Sequence, residues 1–363
     1  MSRVLIYRLG SIGDTVVALP AFHLIRRHFE RDHITVLTNF WSDQRASSVT
    51  SVLPPRLYDD ALEYSLATRS VAKLWELRAN IRRQRFDVVI SLTEQRGVRK
   101  SLRDYAFFRA CGIRDIRGIP FRRSHFLDHP EPGSELYRSE TQLLLDRLRW
   151  LGSVDTDDDR WWNLELTEDE HRQARAALGM VGTGTPMLAF SIGTKFDTKD
   201  WSQPNWMSLV SRLADRFSDY SLVAIGAADE RSRSQELLDL WRGGTVNACG
   251  LVPPRVSACI LEQARLFVGH DTGPVHLAAA VGTPCVAVYS ARSVPGQWFP
   301  RGTNHTIFYN KVPCFGCLLE TCETFGKKCI LSIQPEEVLE AITARLQGRD
   351  AILIQRPRNR PQE

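Results

Sequence analysis

Residues 266–289 constrain this chain more than any other stretch. Leu266 to Val268 is apolar and strand-like, Gly269 to Pro274 (Gly-His-Asp-Thr-Gly-Pro) is a turn, Val275 to Val281 is a short helix of small residues, and Cys285 to Tyr289 is a second apolar run. Apolar strands that alternate with helices belong to a parallel sheet covered on both faces. The turn aims the N–H groups of a helix start at whatever lies above it, and such groups hold anions. Asp271 or Thr272 can cap the helix, Gly273 admits a ligand close to the backbone, and Pro274 suits a first turn that has no N–H partner to lose. An ordinary capped junction and a phosphate cradle fit this spacing equally. His276, in the first turn beside the cap, favours the cradle.

The same rhythm runs from the start of the chain. Val4 to Tyr7 is a strand, Arg8 to Asp14 (Arg-Leu-Gly-Ser-Ile-Gly-Asp) a loop, and Thr15 to Phe29 a helix with Val17, Ala21, Leu24 and Ile25 at helical spacing. Pro20 fits such a helix only in an early turn or at a kink. Strand Ile34 to Thr38 completes a β–α–β unit. The loop reads G-x-x-G, which is neither a dinucleotide fingerprint nor a nucleotide-triphosphate P-loop. It sets Asp14 at a helix start above the carboxyl edge of a parallel sheet, where α/β proteins bind ligands. The plainer reading of Asp14 is a helix N-cap.

A helical pattern from Leu66 to Arg85, a strand from Phe86 to Leu92 and a helix from Glu140 to Leu151 continue the alternation. An acidic run, Asp155 to Asp159, then breaks it, so the connection between two domains falls between Gly152 and Pro186, most flexible over Gly179 to Pro186. Beyond it, strands at Met187 to Ser191, Ser221 to Ile225 and Val246 to Ala248 alternate with helices at Asn205 to Arg216, Ala227 to Trp241 and Val256 to Ala264. The first of these strands feeds a loop carrying Thr194, Lys195 and Lys199. Two successive open α/β sheets imply a ligand cleft at their carboxyl edges.

Charge narrows the ligand. Lys plus Arg number 47 against 42 acids, and only seven of the 47 are Lys. Arg suits bidentate contact with phosphates and carboxylates, although a GC-rich genome gives the same bias. Nine basic residues fall between Arg96 and Arg123 (Arg96, Arg99, Lys100, Arg103, Arg109, Arg114, Arg117, Arg122, Arg123) against Asp104 and Asp115. This run reads as a solvated face or as a landing surface for an anionic substrate or membrane. No aromatic-interleaved module accompanies it, so nucleic acid is not an expected partner. The chain lacks an apolar run long enough to span a bilayer and opens on a strand rather than a signal peptide, so a cytoplasmic location is expected.

The cysteines are too few for a disulfide scaffold. Cys314, Cys317, Cys322 and Cys329 have spacing that four thiolates around a structural Zn²⁺ would show; the plainer reading is structural, with no metal. Cys111, Cys249, Cys259 and Cys285 read as small buried hydrophobes. His23, His28 and His33 read as surface residues, and His125 with His129 lacks further ligands for a metal.

Several of these motifs, taken in order, resemble glycosyltransferase family nine, the ADP-heptose:lipopolysaccharide heptosyltransferases. They are Arg8-Leu9-Gly10-Ser11-Ile12-Gly13-Asp14-Thr15-Val16 with Leu19-Pro20, then Phe86-Asp87 leading to Leu92. Ser191-Ile192-Gly193-Thr194 follows with Lys199, Trp201 and Trp206, and Gly269-x-Asp271-Thr272-Gly273-Pro274-x-His276 closes the set. The match runs from residue 3 to about residue 345. It implies a GT-B fold, two Rossmann-like parallel-sheet domains facing across a cleft: residues 1–170 for the acceptor, a linker at 171–186, residues 187–333 for a nucleotide-sugar donor, a helix at 334–347 that can cross back to the first domain, and a disordered tail at 348–363.

The resemblance implies inverting transfer of a sugar, heptose first among them, from a nucleotide-diphosphate donor, without a cofactor or an obligatory metal. Asp14 is the expected base, and Arg8, Ser11 and Gly13 line the acceptor side. Thr194, Lys195, Lys199, Asp271, Thr272, Gly273 and His276 meet the donor phosphates. Lys195 stands where family members often carry a hydroxyl. A nucleoside-binding carboxylate of some members aligns with Ala228 here, which leaves Asp229 or Glu230 to hold the nucleoside. The expected partners are ADP-heptose and an anionic lipid-linked or lipopolysaccharide acceptor, met peripherally at the inner membrane surface. Removal of Lys199 is expected to weaken donor binding with little change in stability. A nucleotide-sugar epimerase and a non-catalytic sugar-nucleotide-binding protein are the alternatives.

Overall fold

The structure is a computed structural model that describes residues 1–40, 47–65, 70–121, 130–131, 133–181, 184–348 and 354–355. The chain forms two compact units, residues 1–165 and 166–363.

In the first unit the elements are β1 (Arg3–Tyr7), α1 (Ile12–Val17), α2 (Leu19–His28), β2 (His33–Phe40), β3 (Asp60–Ser65), α3 (Val71–Gln84), β4 (Val88–Ser91), α4 (Val98–Ala110), β5 (Asp115–Arg117) and α5 (Glu140–Asp146). All strand pairs are parallel, in the order β3-β2-β1-β4-β5. The continuous apolar stretch of β1 suits its central place: Val4, Leu5 and Ile6 are fully buried, and Val4 is in register with Ile34 on one side and Val88 on the other. The single helix expected over 15–29 is two helices that meet at Ala18. Pro20 sits in the first turn of α2, where its missing N–H costs nothing.

The second unit comprises α6 (Glu168–Leu178), β6 (Met187–Ser191), α7 (Gln203–Arg216), β7 (Ser221–Ala224), α8 (Arg231–Leu238), β8 (Thr245–Asn247), α9 (Pro254–Glu262), β9 (Leu266–His270), α10 (Gly273–Ala280), β10 (Cys285–Tyr289), β11 (His305–Tyr309), α11 (Lys328–Leu331), α12 (Pro335–Leu346) and β12 (Ile354–Gln355). Its sheet is also parallel throughout, in the order β12-β11-β10-β9-β6-β7-β8.

The domain layout departs from the expected one in three places. Part of the expected linker is helical: α6 starts on a reciprocal cap between Thr167 and Glu170 and buries Ala174 and Leu178, while Arg255 and Glu262 of α9 hold Glu170 and His171. The helix expected to cross back, α12, instead contributes Val338, Leu339 and Ile342 to the core of the second unit, together with Trp206, Leu209 and Leu213. Residues 354–355, expected to be disordered, pair with β11; the rest of that tail beyond Gly348, Gly182 with Thr183, and Arg122, Arg123, His125 and His129 lie outside the described residues. His23 is also not on the surface: it is buried, its ring hydrogen-bonded to the carbonyl of Asn163 at 3.0 Å, and burial holds its pKa below the usual value.

Candidate functional site

In an open parallel sheet, ligands bind beyond the carboxyl ends of the strands where the winding reverses. The first unit reverses between β1 and β4, the second between β6 and β9. The loops at those four strand ends carry most of the residues singled out in the sequence.

At the first reversal, Gly10 has φ +133°, and a Cβ there would stand 2.3 Å from Cβ and Cγ of Asp14. Glycine therefore makes room for the aspartate. Asp14 lies in the first turn of α1, where one carboxylate oxygen accepts the backbone N–H of Ser11 at 2.8 Å and its hydroxyl at 3.2 Å. The residue at the N-cap is Ser11, which corrects the plainer reading of Asp14. The Asp14 side chain keeps 26% of its exposure, so its carboxylate is held by the loop and still open to a ligand.

Arg8 does not line an acceptor surface. It is fully buried, and its guanidinium donates to the main-chain carbonyls of Leu92 and Asp14. A cation that ties the loop after β1 to the loop after β4 is a strut, and a ligand cannot reach it. Gly13 is likewise buried inside α1.

Glu94, on the loop after β4, is a site residue that sequence reasoning missed. Its carboxyl is pushed up to about 7, first by the surrounding protein and then by the negative charges of Asp14 and Glu140. The side chain is nonetheless exposed. β4 neighbours β1, and this is what brings two carboxylates together at one reversal.

The basic run divides. Arg96 and Arg103 both hold Asp104, at 2.5 and 2.8 Å, and Arg117 holds Asp115. Arg99 and Lys100 are exposed.

At the second reversal, Lys199 and Asp271 form an ion pair of 2.7 Å, with side-chain exposures of 15% and 5%. The ammonium also donates to the main-chain carbonyl of Asp271 at 3.0 Å. Thr272 is the N-cap of α10, yet its hydroxyl makes no cap hydrogen bond and is buried with no partner among the described residues. Thr194 donates to the carbonyl of Phe196 at 3.1 Å, and the exposed Lys195 stands over the Phe196 ring.

His276 is buried one turn into α10, within electrostatic reach of His305 at the amino end of β11; it belongs to the packed interior rather than to the turn. The histidine that organises the site is His270, the last residue of β9. Its Nε2 accepts the backbone N–H of Trp201 at 3.2 Å and the indole N–H of Trp206 at 3.3 Å, and burial holds the ring neutral. Two donors on one ring nitrogen fix the loop after β6 to the end of β9. A histidine at the end of an apolar strand, with two tryptophans after the preceding sheet strand, is the signal that was available for it.

Of the two candidate nucleoside carboxylates, Asp229 stays in solvent and Glu230 turns inward. A Cβ at Gly193 would stand 1.7 Å from the Glu230 carboxyl, and one at Gly226 would stand 2.0 Å from its oxygen. Two glycines thus vacate the space that Glu230 fills. One of its oxygens is buried without a partner, and burial, then the charge of Asp229, pushes the carboxyl up to about 7.

The four cysteines at 314, 317, 322 and 329 are free thiols, and among the described residues no group of three or more potential ligands is arranged to hold a metal.

Two doubly wound parallel sheets, each with polar side chains gathered at its reversal, define a glycosyltransferase-like chain of the GT-B fold. A family model for glycosyltransferase family 9 (heptosyltransferase) matches residues 74–327, and the chain belongs to that family. Lipopolysaccharide heptosyltransferase 1 of Pseudomonas aeruginosa is 34% identical over 152 residues, 41% of each chain. The chain spans about half or less of the first curated relatives it matches, 41%, 51% and 52% of their lengths. Among solved structures, a family 9 glycosyl transferase of Veillonella parvula superposes with a TM-score of 0.69 at 20% identity, covering 96% of this chain and 98% of that one. The ADP-heptose lipopolysaccharide heptosyltransferase II of E. coli gives 0.65 at 16% identity, with 96% and 99% covered.

Proposed function

We propose that the chain transfers heptose, with inversion, from ADP-heptose to a sugar hydroxyl of a lipopolysaccharide or related lipid-linked acceptor at the cytoplasmic face of the inner membrane. The observation that carries the reading is the distribution of charge over the two reversals. One presents an open carboxylate, Asp14. The other presents a cation, Lys199, beside a helix start with an unpartnered hydroxyl at Thr272.

In this reading Asp14 takes the proton of the acceptor hydroxyl while its oxygen bonds to the anomeric carbon. The bond from that carbon to the diphosphate breaks, and ADP leaves with the electron pair. Lys199, Thr272 and the first N–H groups of α10 meet the leaving diphosphate. Glu230, one of whose oxygens has no partner among the described residues, accepts a hydroxyl of the nucleoside. Mass spectrometry for transfer and proton NMR of the donor sugar for isomerisation, on the full chain with ADP-heptose, with and without acceptor, test the reading. Transfer needs both substrates. An isomerised donor without acceptor would mean an epimerase, and an untouched donor in every mixture would mean a binding protein.

Glu230 allows two measurements. Glu230→Gln should weaken ADP binding roughly tenfold to a hundredfold, the worth of a hydrogen bond to a charged group, measured by calorimetry. The second is pH dependence. A carboxyl with a raised folded pKa binds more protons folded than unfolded, so its contribution to stability falls as pH rises from its usual value of 4.5 to about 7. The melting temperature of Glu230→Gln should therefore gain on that of the parent across this window and level off above it. A constant difference would mean that Glu230 is not held in a desolvated site.

A further inference from the structure

α3 and α4 carry exposed apolar and basic side chains that the chemistry above does not use. Both helices run back from the carboxyl edge of the first sheet. Right-handed crossovers from β3 to β4 and from β4 to β5 put them side by side on one face, and Arg78 of α3 donates to the carbonyl of Ala110 at the end of α4 at 2.9 Å. Large apolar side chains there are exposed: Val71 at 66%, Trp75, with the Arg78 guanidinium over its ring, at 59%, Val98 at 50% and Leu102 at 54%. Tyr105 and Phe121, both exposed, stack edge to face with centroids 5.9 Å apart. Exposed cations lie among them: Lys73 on α3, and Arg99, Lys100 and Arg103 on α4. The nearby acids are fewer, Glu76 being exposed and Asp104 already held by Arg96 and Arg103.

We propose that this face docks the first unit on an anionic lipid bilayer. Apolar and aromatic side chains interleaved with cations match the layered chemistry of a bilayer surface, with acyl carbons beneath and phosphate charge above. Clustered apolar exposure of this kind marks an interaction surface. Among the described residues no helix is long and apolar enough to cross a membrane, so the contact is a surface one. The face opens on the same sheet edge as Asp14 and Glu94. It therefore deepens the acceptor reading above, since a lipid-linked acceptor would present its sugar beside the bilayer on which the unit rests. Its evidence, however, does not depend on the reaction.

Co-sedimentation of the full chain with vesicles tests it without donor or acceptor. Binding should be strong to vesicles of phosphatidylcholine with phosphatidylglycerol, weak to phosphatidylcholine alone, and should decline with added salt. Each cation at an anionic surface changes partitioning about fivefold. Arg99→Ala with Lys100→Ala should therefore lower it by about tenfold or more, and Trp75→Ser with Leu102→Ser should lower it as well. These exposed positions should leave the near-ultraviolet circular dichroism unchanged. Arg82→Ala with Arg83→Ala, at the far end of α3, should leave partitioning as it was. Equal binding to both vesicle types, or an equal loss from the Arg82 and Arg83 pair, overturns the proposal. So does a change of mass in light scattering with vesicle binding intact, which would make the face a contact between copies of the chain.

Discussion

Asp14→Asn is expected to lower kcat by about 10²–10⁴-fold, the contribution of a positioned general base, while the affinity for ADP stays near that of the parent. The geometry separates this from a structural effect. Asp14 supports the start of α1 by accepting the N–H and hydroxyl of Ser11, and the side-chain oxygen of Asn can still accept. The loss of stability should therefore stay within about 1 kcal/mol, as for a helix-cap exchange. Glu94 supplies the competing hypothesis, because it stands within electrostatic reach of Asp14 at the same reversal. If Glu94 takes the proton, Glu94→Gln will carry the large loss in kcat and Asp14→Asn will not. If Asp14 takes it, Glu94→Gln should have the smaller effect. Transfer kinetics and ADP calorimetry on both variants distinguish the outcomes.

What the sequence made legible follows from how locally each feature is encoded. The apolar strands β1, β6 and β10 and the start of α10 depend on neighbours a few residues away, and they fall close to where the local pattern puts them. The pairing of Lys199 with Asp271 and the enclosure of Glu230 by Gly193 and Gly226 depend on which strands adjoin in the sheet, which local pattern does not encode. The same reason hides Glu94, which is one polar residue among many until β4 is known to lie beside β1. Arg8 misleads in the opposite direction: a basic residue in a ligand loop reads as a contact, but it is buried and its two terminal nitrogens donate to the carbonyls of Leu92 and Asp14. α6 was missed although its cap, its acidic first turn and its helix-forming residues were all readable, because the acidic run before it drew the reading toward a linker.

The ion pair of Lys199 with Asp271 changes what its removal should do. Sequence alone suggests a variant that binds donor poorly and folds normally. With Lys199 and Asp271 at 2.7 Å and little exposed, Lys199→Ala leaves a carboxylate buried without its partner. Breaking one side of such a pair costs roughly 3–5 kcal/mol, and the 15% exposure retained by Lys199 places the expected loss near the lower end. Lys199→Ala should thus lose stability and ADP binding together, which by itself does not tell a phosphate ligand from a structural cation. The double variant Lys199→Met with Asp271→Asn tells them apart. It removes both charges while keeping similar volumes, and exchange of a buried pair for neutral groups is often close to neutral in stability. Denaturant unfolding should show much of the loss recovered, whereas calorimetry should show ADP binding still weakened, because the cation that meets the diphosphate is gone. If the double variant binds ADP as the parent does, Lys199 serves only to hold Asp271 at the start of α10, and the leaving phosphate is met by the N–H groups and Thr272 alone.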